Sequence, residues 1–215
     1  LYCECNMPMH LQDNIIILKK RNSYIKQEIS KLFKKNTTVL DFGCGPATAC
    51  LALADQFRNK KFYYYGIDKA EPMLNKAKLI WDAAVESSLI DNTSKAEFFC
   101  DWENINQTEI EGNVLLVFSY FFASMSLGID RLRSLTQFIN SIKENANGRV
   151  TLLYVNSPKP FAREKYNKFR DLMGIEALPK KNTKREYQLI NLNPEFSPEE
   201  EVEEVAEEAG AEVEE

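Results

Sequence analysis

Where the apolar runs of this chain stop, a carboxylate or a hydroxyl repeatedly stands: Asp41 after Thr-Thr-Val-Leu, Asp68 after Tyr-Tyr-Tyr-Gly-Ile, Asp101 after Phe-Phe-Cys, and Ser119 after Val-Leu-Leu-Val-Phe. Carboxylates so placed can accept from sugar hydroxyls or an exocyclic amine, or face a cation. Between the first two lies the run Asp41-Phe42-Gly43-Cys44-Gly45-Pro46-Ala47. Glycine at 43 and 45 lets the backbone pass close to a ligand without a Cβ in the way. The helix expected behind them, Ala47 to Phe57, turns unpaired N–H groups toward that ligand. Pro46 suits the first helical position, where its missing N–H costs nothing. This is a nucleotide-type cofactor loop. A plain strand–turn–helix junction would use the same glycines for turn geometry alone.

A dinucleotide fingerprint wants a third glycine three residues after the second, and Thr48 holds that place. Asp41, two residues before Gly43, would repel a pyrophosphate but suits a ligand bearing an ammonium group. The pattern resembles the first motif of class I S-adenosylmethionine (SAM) dependent methyltransferases, with Ala47 as the third small residue. The resemblance implies a doubly wound, mostly parallel seven-stranded α/β sheet with an antiparallel last strand. It also implies S-adenosyl-L-methionine as cofactor, lying against Asp41, Gly43, Cys44 and Gly45. An NAD(P)-binding reductase stays open as the other nucleotide reading.

Asp68 lies 25 residues after Gly43, where an acidic side chain can accept from both ribose hydroxyls; a helix cap is the competing use. The segment Gly66 to Leu74 resembles the second methyltransferase motif, which implies Asp68 on ribose with Lys69 and Met73 flanking the adenine. Phe98-Phe99-Cys100-Asp101-Trp102 resembles the family's third element. There Asp101 would accept from the adenine amino group and Trp102 would cover the ring, against an N-cap for a short helix at 103–105. Ser119-Tyr120-Phe121-Phe122 follows the fourth strand, where the family keeps acceptor-side residues. The resemblance puts Ser119 near the cofactor and Tyr120 where it orients an acceptor or donates to it, unless these aromatics are core. No Asn-Pro-Pro-Tyr run and no Pro-Cys pair is present, which disfavours adenine amino methylation and cytosine C5 chemistry.

Methyl transfer from a sulfonium is an in-line displacement driven by positioning and exclusion of water. Only a poor nucleophile needs a base. His10 is the single histidine and serves as a base only if the N-terminus folds over the site. Cys3, Cys5 and His10 form a C-x-C-x4-H cluster without the paired spacing of zinc sites, so no metal is expected. The missing acceptor motif also keeps a non-catalytic scaffold that docks a partner in view.

Apolar positions from Leu11 to Phe33 predict one or two amphipathic helices. Strands are expected at Thr38–Phe42, Lys61–Ile67, Ala96–Cys100, Val114–Ser119 and Arg149–Asn156. Helices are expected at Glu71–Ser87, Asp130–Glu144 and Phe161–Met173. A closing strand, Glu186–Leu192, should pair with a short stretch near Ile175–Leu178. Such alternation implies parallel β-α units. The chain divides into an N-terminal helical segment (1–36), a SAM-binding domain (37–193) and an acidic tail (194–215).

Glu195 to Glu215 hold 11 of the 32 acidic residues and no basic one, so the formal charge of −5 conceals a basic body. The tail is expected to be disordered or weakly helical. Lys159, Arg163, Lys165, Lys168, Arg170, Lys180, Lys181, Lys184 and Arg185 form a cationic segment, and such segments can bind phosphate backbones or simply be solvated. RNA is therefore the favoured acceptor, with a small molecule or a protein open. No stretch approaches the roughly 20 apolar residues of a membrane helix, the sequence from Leu1 has no recognisable charged-then-apolar leader, so secretion is not expected, and five cysteines suggest no disulfide framework. A cytoplasmic location is expected.

Overall fold

The computed structural model describes residues 4, 6–19, 24–181 and 185–196. Helices α1 (Met7–Lys19) and α2 (Tyr24–Leu32) precede β1 (Thr37–Phe42), α3 (Thr48–Gln56), β2 (Tyr63–Ile67), α4 (Glu71–Glu86) and β3 (Lys95–Phe99). There follow β4 (Asn113–Ser119), α5 (Ile129–Asn145), β5 (Val150–Asn156), α6 (Pro160–Met173), β6 (Lys180–Lys181) and β7 (Glu186–Asn191). Single 3₁₀ turns cover Trp102–Asn104, Gln107–Glu109 and Phe121–Ala123. The expected helical region at the N-terminus is thus two helices, and Pro46 and Ala47 lie in the turn ahead of α3 rather than inside it.

The seven strands run in the order β3-β2-β1-β4-β5-β7-β6. Neighbours are parallel from β3 through β5, whereas β7 is antiparallel to β5 and β6 antiparallel to β7. Chain order reverses between β1 and β4, so the crevice outside their carboxyl ends is where a ligand belongs. β1 and β5 are buried along their whole length, which is why they read as continuous runs. Val39, Leu115, Val117, Leu153 and Val155 pack on one face with Ile17, Leu18, Ile29, Leu53 and Trp81. Leu40, Phe42, Leu116, Phe118 and Tyr154 pack on the other with Phe138, Ile139, Tyr166 and Phe169. The period of two sorts each strand between two covered faces. Both N-terminal helices belong to the first of these cores, and α1 lies along α3.

One pairing differs from expectation: β7 meets Lys180–Lys181, not the stretch at 175–178. Helix α6 ends on Gly174 in the left-handed region, φ 68°, with Ile175 N–H returning to Arg170 O at 2.9 Å. The carbonyls of Ile175 and Glu176 accept from the Arg170 guanidinium, and that of Ala177 from Gln188 Nε2. Side chains have taken those acceptors, and the ladder begins only past Pro179.

Candidate active site

The crevice at the reversal is a cavity of about 1130 Å³. Gly43, Gly45, Asp68, Lys69, Met73, Trp102, Ser119 and Tyr120 all line it, so the sequence-predicted residues from four strand ends do converge. Asp41 and Cys44 are buried behind that wall, and Asp101 is not among the residues that line it.

The glycine turn is folded back on its neighbour strand. Gly43 and Cys44 N–H groups donate to Ile67 O at 2.7 and 3.0 Å. Gly45 N–H donates to Asp68 Oδ2 at 3.0 Å, while Asp68 Oδ1 accepts from Ala70 N–H at 2.9 Å. Asp68 therefore ties the turn to the start of α4. Gly43 has φ +69°, and a Cβ there would stand 3.0 Å from the Phe121 ring; the turn needs glycine on both counts. Ala47 adopts the same left-handed conformation with φ 61°, where a third glycine would cost less.

Asp41 points into the sheet interior, 1% exposed. One oxygen accepts from Tyr64 hydroxyl at 2.8 Å and the other has no hydrogen-bond partner. Burial pushes its carboxyl up to about 7 against the Tyr64 bond, with the Asp68 charge adding to the rise. Burial also raises the thiols of Cys44 and Cys50. Cys44 is 3% exposed, so the turn contributes its backbone and not that sulfur.

Asp101 is held by its own neighbours. Oδ1 accepts from Glu103 N–H at 3.1 Å, capping the turn Trp102–Asn104, and Oδ2 accepts from Arg131 at 2.7 Å. Its charge is committed to the first turn of α5. The Arg131 guanidinium also lies 3.8 Å from the Trp102 ring centroid, and Trp102 Nε1–H donates to Ser134 Oγ at 3.1 Å. Trp102 reaches the cavity with Arg131 already stacked on it. Arg131 carried no sequence signal, being one of several polar residues on an amphipathic helix.

At the other end of the cavity α1 folds over the end of β4. Asn14 Nδ2 donates to Ser119 Oγ at 2.8 Å. Tyr120 hydroxyl donates to Asp13 Oδ2, and Asp13 Oδ1 pairs with Arg185. His10 stacks on the Tyr120 ring, centroids 3.7 Å apart. Tyr120 itself has φ 61°, a strained conformation for an aromatic residue of the kind that gathers at functional sites. Burial lowers the His10 pKa from 6.5, with Asp13 opposing. The sequence signal for this wall is faint: Asp13 and Asn14 are polar residues directly ahead of the apolar run Ile15–Leu18, and both are buried.

The basic segment is largely spent on structure. Arg163 pairs with Glu186, Lys168 with Glu164 and Arg185 with Asp13. Lys165 donates to Ser124 O, and Arg170 caps the end of its helix. Lys184, like Cys3, Cys5 and the tail from Ser197 on, lies outside the described residues. Among the described residues no group of His, Cys, Asp and Glu could hold a metal, and no helix is long and apolar enough to cross a membrane.

The profile of a family described as Methyltransferase domain matches residues 33–193. The chain belongs to this methyltransferase family. Among curated proteins none matches the sequence. Among solved structures, the 16S rRNA methylase ArmA is similar with a TM-score of 0.51 and 14% identity over 89% of this chain and 91% of that one. A SAM-dependent methyltransferase from Aquifex aeolicus is 18% identical over 76% of this chain and 88% of that one, TM-score 0.44. The plantazolicin methyltransferase BpumL, solved with S-adenosylhomocysteine (SAH), is 13% identical over 80% of this chain, TM-score 0.45; the chain spans 65% of it.

SAM is the methyltransferase's cofactor, and the turn fits it. A pyrophosphate would need the Gly43, Cys44 and Gly45 N–H groups, all of which are committed internally, and would meet the Asp68 carboxylate. That removes the dinucleotide reading. Each Asp68 oxygen keeps a second lone-pair direction on the cavity wall for ribose hydroxyls, and Gly43 leaves the close approach open. The cofactor supplies an electrophilic methyl on a positively charged sulfur. The chain's part is to hold it, place the acceptor in line and exclude water.

Proposed function

We propose that this methyltransferase acts on a small-molecule acceptor held between the end of β4 and helix α1. The observation that carries this is the cavity itself. At about 1130 Å³ it exceeds the roughly 300–1,000 Å³ of pockets that hold one small ligand. Its far end is walled by α1 through the Asn14–Ser119 and Asp13–Tyr120 contacts. An acceptor must reach the methyl inside that wall, which favours a compact molecule over a polymer laid across the surface. The cationic segment suggests RNA, and ArmA is a 16S rRNA methylase. The engagement of Arg163, Arg170 and Arg185 within the fold leaves that reading less support.

Incubating the protein with methyl-labelled SAM and separated cell extract tests the proposal. Label should appear in the small-molecule fraction. Label confined to RNA or to protein would overturn the small acceptor while leaving the methyltransferase intact. Asp68→Ala should abolish transfer in either case by removing the clamp between the glycine turn and α4. Loss of its charged hydrogen bonds should weaken SAM binding by about 2 kcal/mol or more, read by calorimetry.

A further inference from the structure

Helix α1 lies outside the matched domain of residues 33–193, yet Met9, His10, Asp13 and Ile16 supply one wall of the cavity. Two of its side chains are anchors, Asn14 on Ser119 and Asp13 on Tyr120 and Arg185. One turn before Asn14, they place His10 face to face with the Tyr120 ring, planes 11° from parallel. Tyr120 is fixed in turn by its hydroxyl bond to Asp13 and by its N–H on Val155 O at 2.8 Å. The single imidazole of the whole chain is thus held on the cavity wall beside the residue that follows β4.

We infer that His10 is the general base of the transfer and that the acceptor is a hydroxyl, for which phenols, acidic enough to give a proton to an imidazole, serve as the probe, an inference that rests on the small-molecule methyltransferase reading. An uncharged amine attacks a methyl sulfonium without help, whereas a hydroxyl is a poor nucleophile until its proton leaves. A base at this spot answers that need. In the step, an oxygen lone pair of the acceptor forms the bond to the methyl carbon, and the carbon–sulfur bond breaks with its electrons going to sulfur. The hydroxyl proton passes to an imidazole nitrogen and on to water. The Asp13 charge on α1 acts on the ring, and Asp13 in turn accepts from the Tyr120 hydroxyl and pairs with Arg185 ahead of β7. Burial lowers the imidazole's affinity for a proton, so it stands neutral and able to accept at physiological pH. The Asp13 charge then favours the imidazolium that the step creates.

The test uses the full chain, methyl-labelled SAM, and a panel of simple phenols matched with primary amines, over about pH 5 to 8, where an imidazole titrates. SAM affinity is measured by calorimetry on the same preparations. Phenols should take label, with a rate that rises on a limb whose midpoint lies below 6.5. His10→Phe keeps an aromatic ring for the stack, and should lose about 100-fold or more in kcat together with that limb, at unchanged SAM affinity; His10→Gln should match it. Wild-type kcat and an intact limb in His10→Phe would make the ring mere packing and overturn the inference. Label only in amines, or in no panel member while SAM binds, would overturn the acceptor class. Failure of the wild-type chain to bind SAM would bring down the methyltransferase reading first, and this inference with it.

Discussion

Asp41 carries a carboxylate into the interior of the sheet, with the Tyr64 hydroxyl on one oxygen and no hydrogen-bond partner on the other. Asp68, at the end of the next strand, spends both oxygens on backbone N–H groups and still faces the cavity. The same side chain is therefore a buried acid in one place and a site wall in the other. Position along β1 explains the difference: Asp41 is in register with Gly66 on one side and Val117 on the other, inside the sheet rather than past it. The folded protein holds a proton on Asp41 up to about pH 7, against 3.8 ordinarily. A raised carboxyl pKa means stability that is full below pH 3.8, falls as pH rises through about 7, and stays flat beyond. At about 1.4 kcal/mol per pH unit the loss is of order a few kcal/mol. Urea unfolding at acid and neutral pH should show that slope in the wild type. Asp41→Asn should flatten it and be the more stable protein, relative to wild type, on the alkaline side; an unchanged slope would mean that Asp41 is ionised in the fold.

Strands and helices of the parallel half were legible because each repeats the same unit, an apolar run, a polar stop and an amphipathic helix. The glycine turn was legible because Gly43 answers a backbone need, φ +69° beside Phe121, that few residue types meet. What sequence could not show was how distant side chains would be spent. Asp101 reads as a ligand residue, and only the fold shows that Arg131, 30 positions on, shares its second oxygen. The partner of β7 was misplaced because the acceptors at 175–177 are satisfied by Arg170 and Gln188, contacts with no local pattern. The sequence predicts one or two helices between Leu11 and Phe33, whereas the seat of α1 over Tyr120 is visible only in the fold. That seat makes its own prediction. Tyr120→Phe keeps the ring under His10 but leaves a buried carboxylate oxygen of Asp13 without its phenol. Stability should fall by about 1–3 kcal/mol, and amide exchange over Met7–Lys19 should quicken while the strands keep their protection. Equal protection of α1 in both proteins would assign its docking to the remaining contacts, Asn14 on Ser119, Asp13 on Arg185 and the apolar Ile17 and Leu18.

Across the whole molecule, charge is divided between a basic body and an acidic C-terminal segment, and the body's cations are of two kinds. Arg170 and Arg185 are buried and hold carbonyls or a carboxylate inside the fold. Lys159, Lys180 and Lys181 stand exposed, the last two on the edge strand β6, where lysines discourage edge-to-edge pairing. Only the second kind is available to phosphates. Replacing Lys159, Lys180 and Lys181 together should flatten the salt dependence of binding to single-stranded RNA by about 2, at roughly 0.7 for every phosphate no longer neutralised. Melting temperature should stay as it was. Arg185→Ala should do the reverse. It strands the buried Asp13 carboxylate, costing about 3 kcal/mol or more, and unseats α1 from the cavity while leaving the RNA salt slope alone. The two variants together separate a phosphate-binding face from a structural one: a steep slope that only Arg185→Ala abolished would mean that the cations inside the fold reach nucleic acid after all, and would return RNA to the head of the acceptor classes.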